Sequence, residues 1–220
     1  MKNDHTCKAF DSDLEWLSIE LREMGKTAET QIADAIVVFE GNDNTRANNV
    51  LRLASSIEVL HDGVEEKAVL TIARRQPMAR DLREIVAAFK TCEDIERIGR
   101  LAKNAVERSI LINGSYPENL HRNLAFMARL ALEQFRETID CYFARTSKSA
   151  STSFGRGKDI GAVQSAFAAE VLAFMRADAN NVPIGVDLMF CSENIERICA
   201  HTANIADTAH YMFEGYYSNC

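Results

Sequence analysis

The sequence is poor in the residues that make tight turns. Only three of its 220 residues are proline and ten are glycine, and aromatic side chains make up 8%. Because β-sandwiches and β-barrels need many tight turns, this scarcity argues against them and favours long helices. Hydrophobic residues reach 47%, so the chain has enough apolar material for a core, which excludes disorder as a description of the whole chain.

Signals of several functional classes are also missing. There is no unbroken run of about 18 apolar residues, which argues against a membrane span, and the first 13 residues lack the apolar segment of a secretory signal. The motifs G-x-S-x-G and H-E-x-x-H and a phosphate-binding glycine loop do not occur, so we do not expect an enzyme. A net charge of −7 argues against nucleic-acid binding.

The cysteines form no C-x-x-C pair, so a disulfide or zinc framework is not expected. We interpret them as reduced thiols of a cytoplasmic protein, with several of them in the core. The six cysteines are Cys7, Cys92, Cys141, Cys191, Cys199 and Cys220.

Apolar residues recur at steps of three or four, which is typical of amphipathic helices. The pattern predicts an all-α protein with six long helices, at 14–39, 50–72, 77–113, 117–135, 160–174 and 183–212. Each of the three prolines, Pro77, Pro117 and Pro183, is predicted to open a helix, where its missing N–H costs nothing. The Ser-, Gly- and Lys-containing stretch 146–158, with little to bury, predicts a flexible linker.

An internal repeat organises these helices. Residues 93–107, EDIERIGRLAKNAVE, align without gaps with residues 193–207, ENIERICAHTANIAD, and six of the fifteen positions are identical. Since the copies fall in the third and the sixth helix, the repeating unit is three helices. We therefore predict a tandem of two three-helix bundles, one at 8–114 and one at 115–215, with the flexible stretch 146–158 in the second.

Acidic side chains make the repeat and the second helix candidates for a metal site. Glu96 and Glu196 lie beside the core stripe of each copy, and Asp207 shares a face with Glu196. The second helix offers imidazole and carboxylate ligands, which suit iron, manganese or zinc, at a spacing used by metal sites in helical bundles. These ligands are Glu58, His61, Asp62 and Glu65. Solvated charges paired along each helix are the alternative, and both interpretations stay open here.

Arginines cluster where the second helix meets the third. Their planar guanidinium groups suit an acidic partner or a phosphate, and pairing with Asp81 and Glu84 is the alternative. The candidates for partner binding are Arg74, Arg75, Arg80 and Arg83.

Four segments together resemble the PhoU family of bacterial phosphate-signalling regulators. They are DLEWLSIELREMG at 13–25, TIARRQPMARDLREI at 71–85, EDIERIG at 93–99, and NIERI with AHTANIAD within 194–207. The resemblance covers residues 8–215 and implies two three-helix bundles in a cytoplasmic, non-enzymatic protein. It further implies a negative regulator of phosphate uptake and of the phosphate-starvation response. This regulator would be a homodimer that contacts the ATPase of the phosphate ABC transporter and a PhoR-like sensor histidine kinase.

The resemblance also implies iron, zinc or another divalent metal at repeated acidic motifs. The family motif E-R-I-G-D ends on a carboxylate that this chain replaces with Arg100 in the first copy and Ala200 in the second. We expect Arg100 to pair with Glu96, which leaves a single ion near the second helix as the predicted metal site. Its ligands would be Glu58, His61, Glu65 and Glu96.

Two other classes of protein fit the same helices. A ferritin-like di-metal oxidase would require carboxylates from four helices to converge on one centre. A purely structural helical protein would require no site at all.

Overall fold

The protein is helical throughout the part of the chain that its structure, a computed structural model, describes: residues 3–41, 43–112, 116–145 and 149–216. A short 3-10 turn, Ala179–Asn181, precedes the last helix. The six long helices are α1 (Asn3–Gly41), α2 (Asn44–Arg75), α3 (Arg80–Leu111), α4 (Glu118–Phe143), α5 (Ser149–Ala177) and α6 (Val182–Glu214). The predicted all-α class is confirmed.

Each helix buries an apolar stripe close to the one that its periodicity predicts. In the repeated segments, Ile95 and Ile98 of α3 and Ile195 and Ile198 of α6 are at most 2% exposed. Burying a side chain of this size contributes about 1.5–3 kcal/mol, so the stripes are what holds the helices together. In α1 the same burial applies to Leu17, Leu21, Met24, Ala28, Ile32 and Phe39.

The helices pack as two groups of three that share one core. α1, α2 and α3 pack against one another, as do α4, α5 and α6, and the halves join where α3 meets α6 and α1 meets α4. Ala102 and Ala105 of α3, Ala131 of α4 and Ile198 of α6 line one small apolar space at this joint. The repeated segments therefore form the joint between the halves as well as the core of each, and the predicted tandem of two three-helix bundles is confirmed. The boundary at residue 114 stays a prediction, since 113–115 lie outside the described residues.

Two of the three prolines lie where the sequence predicts. Pro183 is in the first turn of α6, and Pro117 directly precedes α4. The prediction for Pro77 is wrong, because α3 begins only at Arg80. The intervening residues make a separate turn that begins where Gln76 ends α2 in the left-handed conformation, with φ 48°. The predicted end of the third helix at residues 113–114 lies outside the described residues.

The start of α5 corrects the predicted linker. The helix begins at Ser149, so residues 149–158 are helical, whereas 146–148 lie outside the described residues. Serine, threonine and glycine cost at most about 1 kcal/mol each in a helix. Tertiary context commonly overrides so weak a preference, and α5 as a whole packs against α4 and α6.

α5 also contains the most apolar stretch of the described chain. Ile160–Ala177 is long and apolar enough to cross a membrane by length and composition alone, with 18 residues, a mean hydropathy of 1.2 and 17% of the stretch buried. The stretch is not an unbroken apolar run, because it contains Gln164, Glu170 and Arg176. A single helix of this kind is weak evidence for a membrane span, and α5 packs against α4 and α6.

Candidate functional site

Three of the predicted metal ligands from α2 lie together. The ligand atoms of His61, Asp62 and Glu65 are within 4.8 Å of one another. His61 Nδ1 is 3.2 Å from a carboxylate oxygen of Asp62, and Nε2 is 3.3 Å from Glu93 of α3. The His61 side chain is 14% exposed and that of Asp62 is 77% exposed, so this cluster opens to solvent on one side.

Opposing effects act on the His61 imidazole. Burial lowers its pKa, but the hydrogen bonds with Asp62 and Glu93 outweigh burial and raise the pKa above its ordinary value. Because a metal binds the neutral imidazole, a cation at this cluster would have to displace the proton. Metal binding here would therefore weaken as the pH falls.

The remaining predicted metal ligands do not join this cluster. Across the described residues, the one group of three or more close His, Cys, Asp or Glu ligands contains neither Glu58 nor Glu96. Glu96 lies 3.4 Å from Arg100, which confirms the predicted pairing. Glu196 and Asp207 are half-buried on α6 and are not part of the group either.

A second polar cluster bridges the two halves, and the sequence analysis missed it. His201 Nδ1 of α6 lies 2.9 Å from Asp94 of α3, and Asn204 donates a hydrogen bond to the same carboxylate oxygen at 3.3 Å. A signal was present in the repeat: His201 occupies the position of the buried Leu101, and an imidazole at such a position needs a polar partner.

The four arginines of the predicted cluster fall into two groups: two contact other parts of the chain, and two face outward. Arg75 is tied to Asp13 of α1, with Nε 3.1 Å from a carboxylate oxygen, and Lys67 holds the other oxygen at 2.6 Å. The hydrogen bond from Lys67, helped by Arg75 and opposed by burial, lowers the pKa of Asp13. The Nη1 atom of Arg83 lies 3.3 Å from where a Cβ of Gly215 would be, against the end of α6. Arg75 and Arg83 therefore make contacts within the bundle.

Arg74 and Arg80 instead face outward. Arg74 is exposed and has no ion-pair partner among the described residues. Arg80 is 68% exposed and lies 4.0 Å from Glu84, whose carboxylate is held more closely by Arg145, at 3.0 Å. Of the four predicted arginines, these two are available to a partner.

An open cleft of about 710 Å³ lies beside Arg80, between α1, α3 and the end of α4. Arg80 is one of three arginines that line it, and the other two have partners within the chain. The Arg22 guanidinium stacks 4.1 Å from the centre of the Phe143 ring, and Arg145 pairs with Glu84. Of the arginines that line the cleft, Arg80 is therefore the one that faces a partner most readily.

The buried cysteines carry no reactive thiol. Burial raises the pKa of Cys92 and of Cys191 to about 12 and also raises that of Cys199. All three are free, as predicted. A thiol that stays protonated at neutral pH is a poor nucleophile, so these side chains belong to the core.

These features define a class of protein: a helical bundle built from two copies of a three-helix unit, with polar clusters on and between its long helices. A family model described as the PhoU domain matches the chain twice, over residues 21–109 and 124–209. The chain belongs to the PhoU family, which confirms the resemblance found in the sequence.

Relatives match over nearly the whole chain. One from Rhizobium meliloti (strain 1021) is 38% identical over 216 residues, covering 98% of this chain and 91% of the relative. Another, from Caulobacter vibrioides, is 32% identical over 213 residues, covering 96% and 93%. Both are named phosphate-specific transport system accessory protein PhoU homolog.

Solved structures share the fold. The crystal structure of PhoU from Pseudomonas aeruginosa superposes with a TM-score of 0.87 at 25% identity, covering 94% of this chain and all of that one. The phosphate transport system regulatory protein PhoU from Streptococcus pneumoniae gives 0.84 at 20% identity, covering 96% and 100%. At the lower identity the likeness concerns the fold alone.

Proposed function

We propose that this protein is a cytoplasmic accessory protein of phosphate-specific transport that restrains phosphate uptake and phosphate-starvation signalling. This proposal rests on the match, over 98% of the chain, to a relative that is named as an accessory protein of that system. The relatives' names describe an accessory role and no catalytic activity, so we propose regulation by contact between proteins and not by catalysis.

The finer proposal is an adaptor that contacts the ATPase of the phosphate ABC transporter and the sensor histidine kinase, and that works as a homodimer. Long rigid helices present wide faces to a partner helix or domain. The two outward arginines, Arg74 and Arg80, support contact with an acidic partner surface.

Gene deletion tests the regulatory role. In phosphate-rich medium, we expect loss of the gene to raise alkaline phosphatase activity and phosphate uptake, and we expect the intact gene on a plasmid to restore both. Unchanged output in the deletion strain would contradict the proposal. Purified ATPase and purified kinase, each tested for binding to the full chain, then identify the contact.

We also propose that one divalent cation binds at His61, Asp62 and Glu65. The specific observation in favour is the proximity of an imidazole and two carboxylates, a donor set that suits zinc, manganese or iron. Glu93 would orient the His61 ring from α3, since it already contacts Nε2.

Metal analysis of protein purified without a His-tag tests this site. We expect about one equivalent of metal per chain after incubation with Zn²⁺. We expect His61→Ala to weaken binding at least about tenfold, since loss of a ligand or of its support typically costs 10–100-fold. His210→Ala, at the far end of α6, is the control. Less than a few tenths of an equivalent in the parent protein would rule the site out.

The ferritin-like oxidase is not favoured. That class needs carboxylates from four helices around one centre. In the described part of the chain, the one such ligand group comes from α2 alone.

A further inference from the structure

The corner between α2 and α3 exposes an unusual amount of apolar surface. Large apolar side chains at least 36% exposed number sixteen in the described residues, and five of them fall within residues 69–82. Met78 is 81% exposed and Val69 is 54% exposed, and the other three are Leu70, Ile72 and Leu82. Ile72 lies on the opposite side of α2 from Leu70, whereas Leu70 shares its face with Arg74, one turn further on. Exposed apolar side chains at the end of this face and in the turn that follows are a candidate binding surface.

The same corner is basic in an acidic protein. Residues 69–82 contain three arginines and one carboxylate, whereas the whole chain has a net charge of −7. Arg75 is held by Asp13, but Arg74 has no ion-pair partner in the described chain, and Arg80 is 68% exposed. Exposed guanidinium groups beside apolar side chains fit a partner surface that has carboxylates beside apolar side chains.

Strained backbone holds the corner in shape. Gln76 has φ 48° and Ala79 has φ 50° with ψ −111°, a conformation that favours glycine. Two such residues within four positions cost of order 1–3 kcal/mol each, and strain of this kind clusters at functional sites. The turn between them projects Met78 into solvent.

The second half of the chain offers an internal comparison. The pattern P-x-x-x-D-L occurs at residues 77–82 and again at 183–188. In the second copy the segment is helical, Leu188 is fully buried, and Asp187 accepts a hydrogen bond from Arg108 at 2.9 Å. In the first copy Leu82 is 37% exposed. The exposed, strained form is thus a property of the first half and not of the pattern.

We propose that this corner surface, made of Leu70, Arg74, Met78 and Arg80, binds an acidic amphipathic helix of a partner protein. Met78 is the apolar anchor, and Arg74 and Arg80 pair with carboxylates that flank the apolar face of the partner helix. The inference rests on the proposed adaptor function, because it assigns the surface by which one of the two partners is held.

Binding of full-length variants to purified transporter ATPase and to the cytoplasmic part of the sensor kinase tests the surface. We expect Met78→Asp, and Arg74→Glu combined with Arg80→Glu, each to weaken binding to one partner by about tenfold or more. The matched controls are Val59→Asp, at a valine of α2 that is 73% exposed, and Arg122→Glu, at an exposed arginine of α4, and both should bind as the parent does. The Arg→Lys double variant keeps the charge and should fall between the parent and the Glu variant.

Each outcome is decisive. Loss of binding in the corner variants alone, with unchanged helical content and thermal midpoint, supports the proposal. Corner variants that bind both partners like the parent would overturn it while leaving the adaptor function intact. Variants that change only the oligomeric state, measured by sedimentation, would show that the corner binds a second copy of this chain. A parent protein that binds neither partner would overturn the adaptor function and this surface together.

Discussion

At the scale of single residues, Ala79 has a backbone conformation that alanine rarely adopts. Its positive φ belongs to a region that glycine enters freely and alanine does not. Gly185, at the equivalent position of the second P-x-x-x-D-L pattern, shows the reverse. It lies within a helix, and an added Cβ there would come within 2.4 Å of the Met175 side chain. Ala79 thus has a side chain where the backbone favours glycine, whereas Gly185 is a glycine within a helix because a side chain there would meet Met175.

We predict that Ala79→Gly increases the free energy of unfolding by about 1 kcal/mol, because it removes the strain at positive φ. The control is Ala73→Gly on the exposed side of α2, which should lower the same quantity by about 1 kcal/mol through loss of helix propensity. Urea unfolding followed by circular dichroism measures both. A destabilised Ala79→Gly protein would mean that the turn is not strained.

At the scale of elements, pairs of helices are tied by a few charged side chains that the apolar stripes do not specify. Asp13 holds Lys67 and Arg75 and so joins α1 to the last turns of α2. The Asp13 side chain is 17% exposed, so its ion pairs are shielded from solvent better than most surface pairs. This junction also fixes the base of the corner surface.

We predict that Asp13→Asn lowers the free energy of unfolding by about 1 kcal/mol at pH 7. Because the folded-state pKa of Asp13 lies below its ordinary value of 3.8, the stabilisation is present above that pH. It is lost as the pH falls through the folded pKa. The difference between the variant and the parent should therefore shrink below about pH 4.

Urea unfolding at a series of pH values checks this dependence. Glu66→Gln, at an exposed carboxylate of α2, is the control and should change stability little at any pH. A difference between Asp13→Asn and the parent that does not change with pH would contradict the assignment.

At the scale of the whole molecule, the long contact between α3 and α6 joins the two halves around a shared core. It combines the repeated isoleucines with the polar cluster of Asp94, His201 and Asn204. Asp94 and His201 have side chains 12% and 18% exposed, so neither can exchange its partner for water freely.

We predict that Asp94→Ala costs about 2 kcal/mol of unfolding free energy, because it leaves the half-buried imidazole of His201 without its partner. Combining it with His201→Leu, the residue type that the first repeat has at this position, should recover much of that loss. Urea unfolding of the single and double variants measures the coupling. Losses that simply add would show that the two side chains do not interact.

The sequence predicted the helices better than it predicted the candidate sites. The core stripe of α1 and the repeat of α3 and α6 could be read because apolar spacing is local and is repeated many times. The same spacing also predicts a core position for Ile72, at the end of the stripe of α2, but this side chain is 36% exposed because it lies in the last turn of the helix. For the arginines no spacing rule applies, because the partner of Arg75 lies 62 residues away on α1.

The class of structure, the presence of six long helices, the tandem of two three-helix units and the family could be predicted from the amino-acid sequence. These follow from periodicity and from motifs within single segments, where each residue acts through neighbours three or four positions away. Which charged side chains find a partner within the chain depends on the tertiary structure. Asp94 meets His201 across 107 residues, and Arg75 is neutralised while Arg74, next to it in the chain, faces solvent. Such pairings depend on which helix faces pack together, a property of the assembled bundle that no single segment carries.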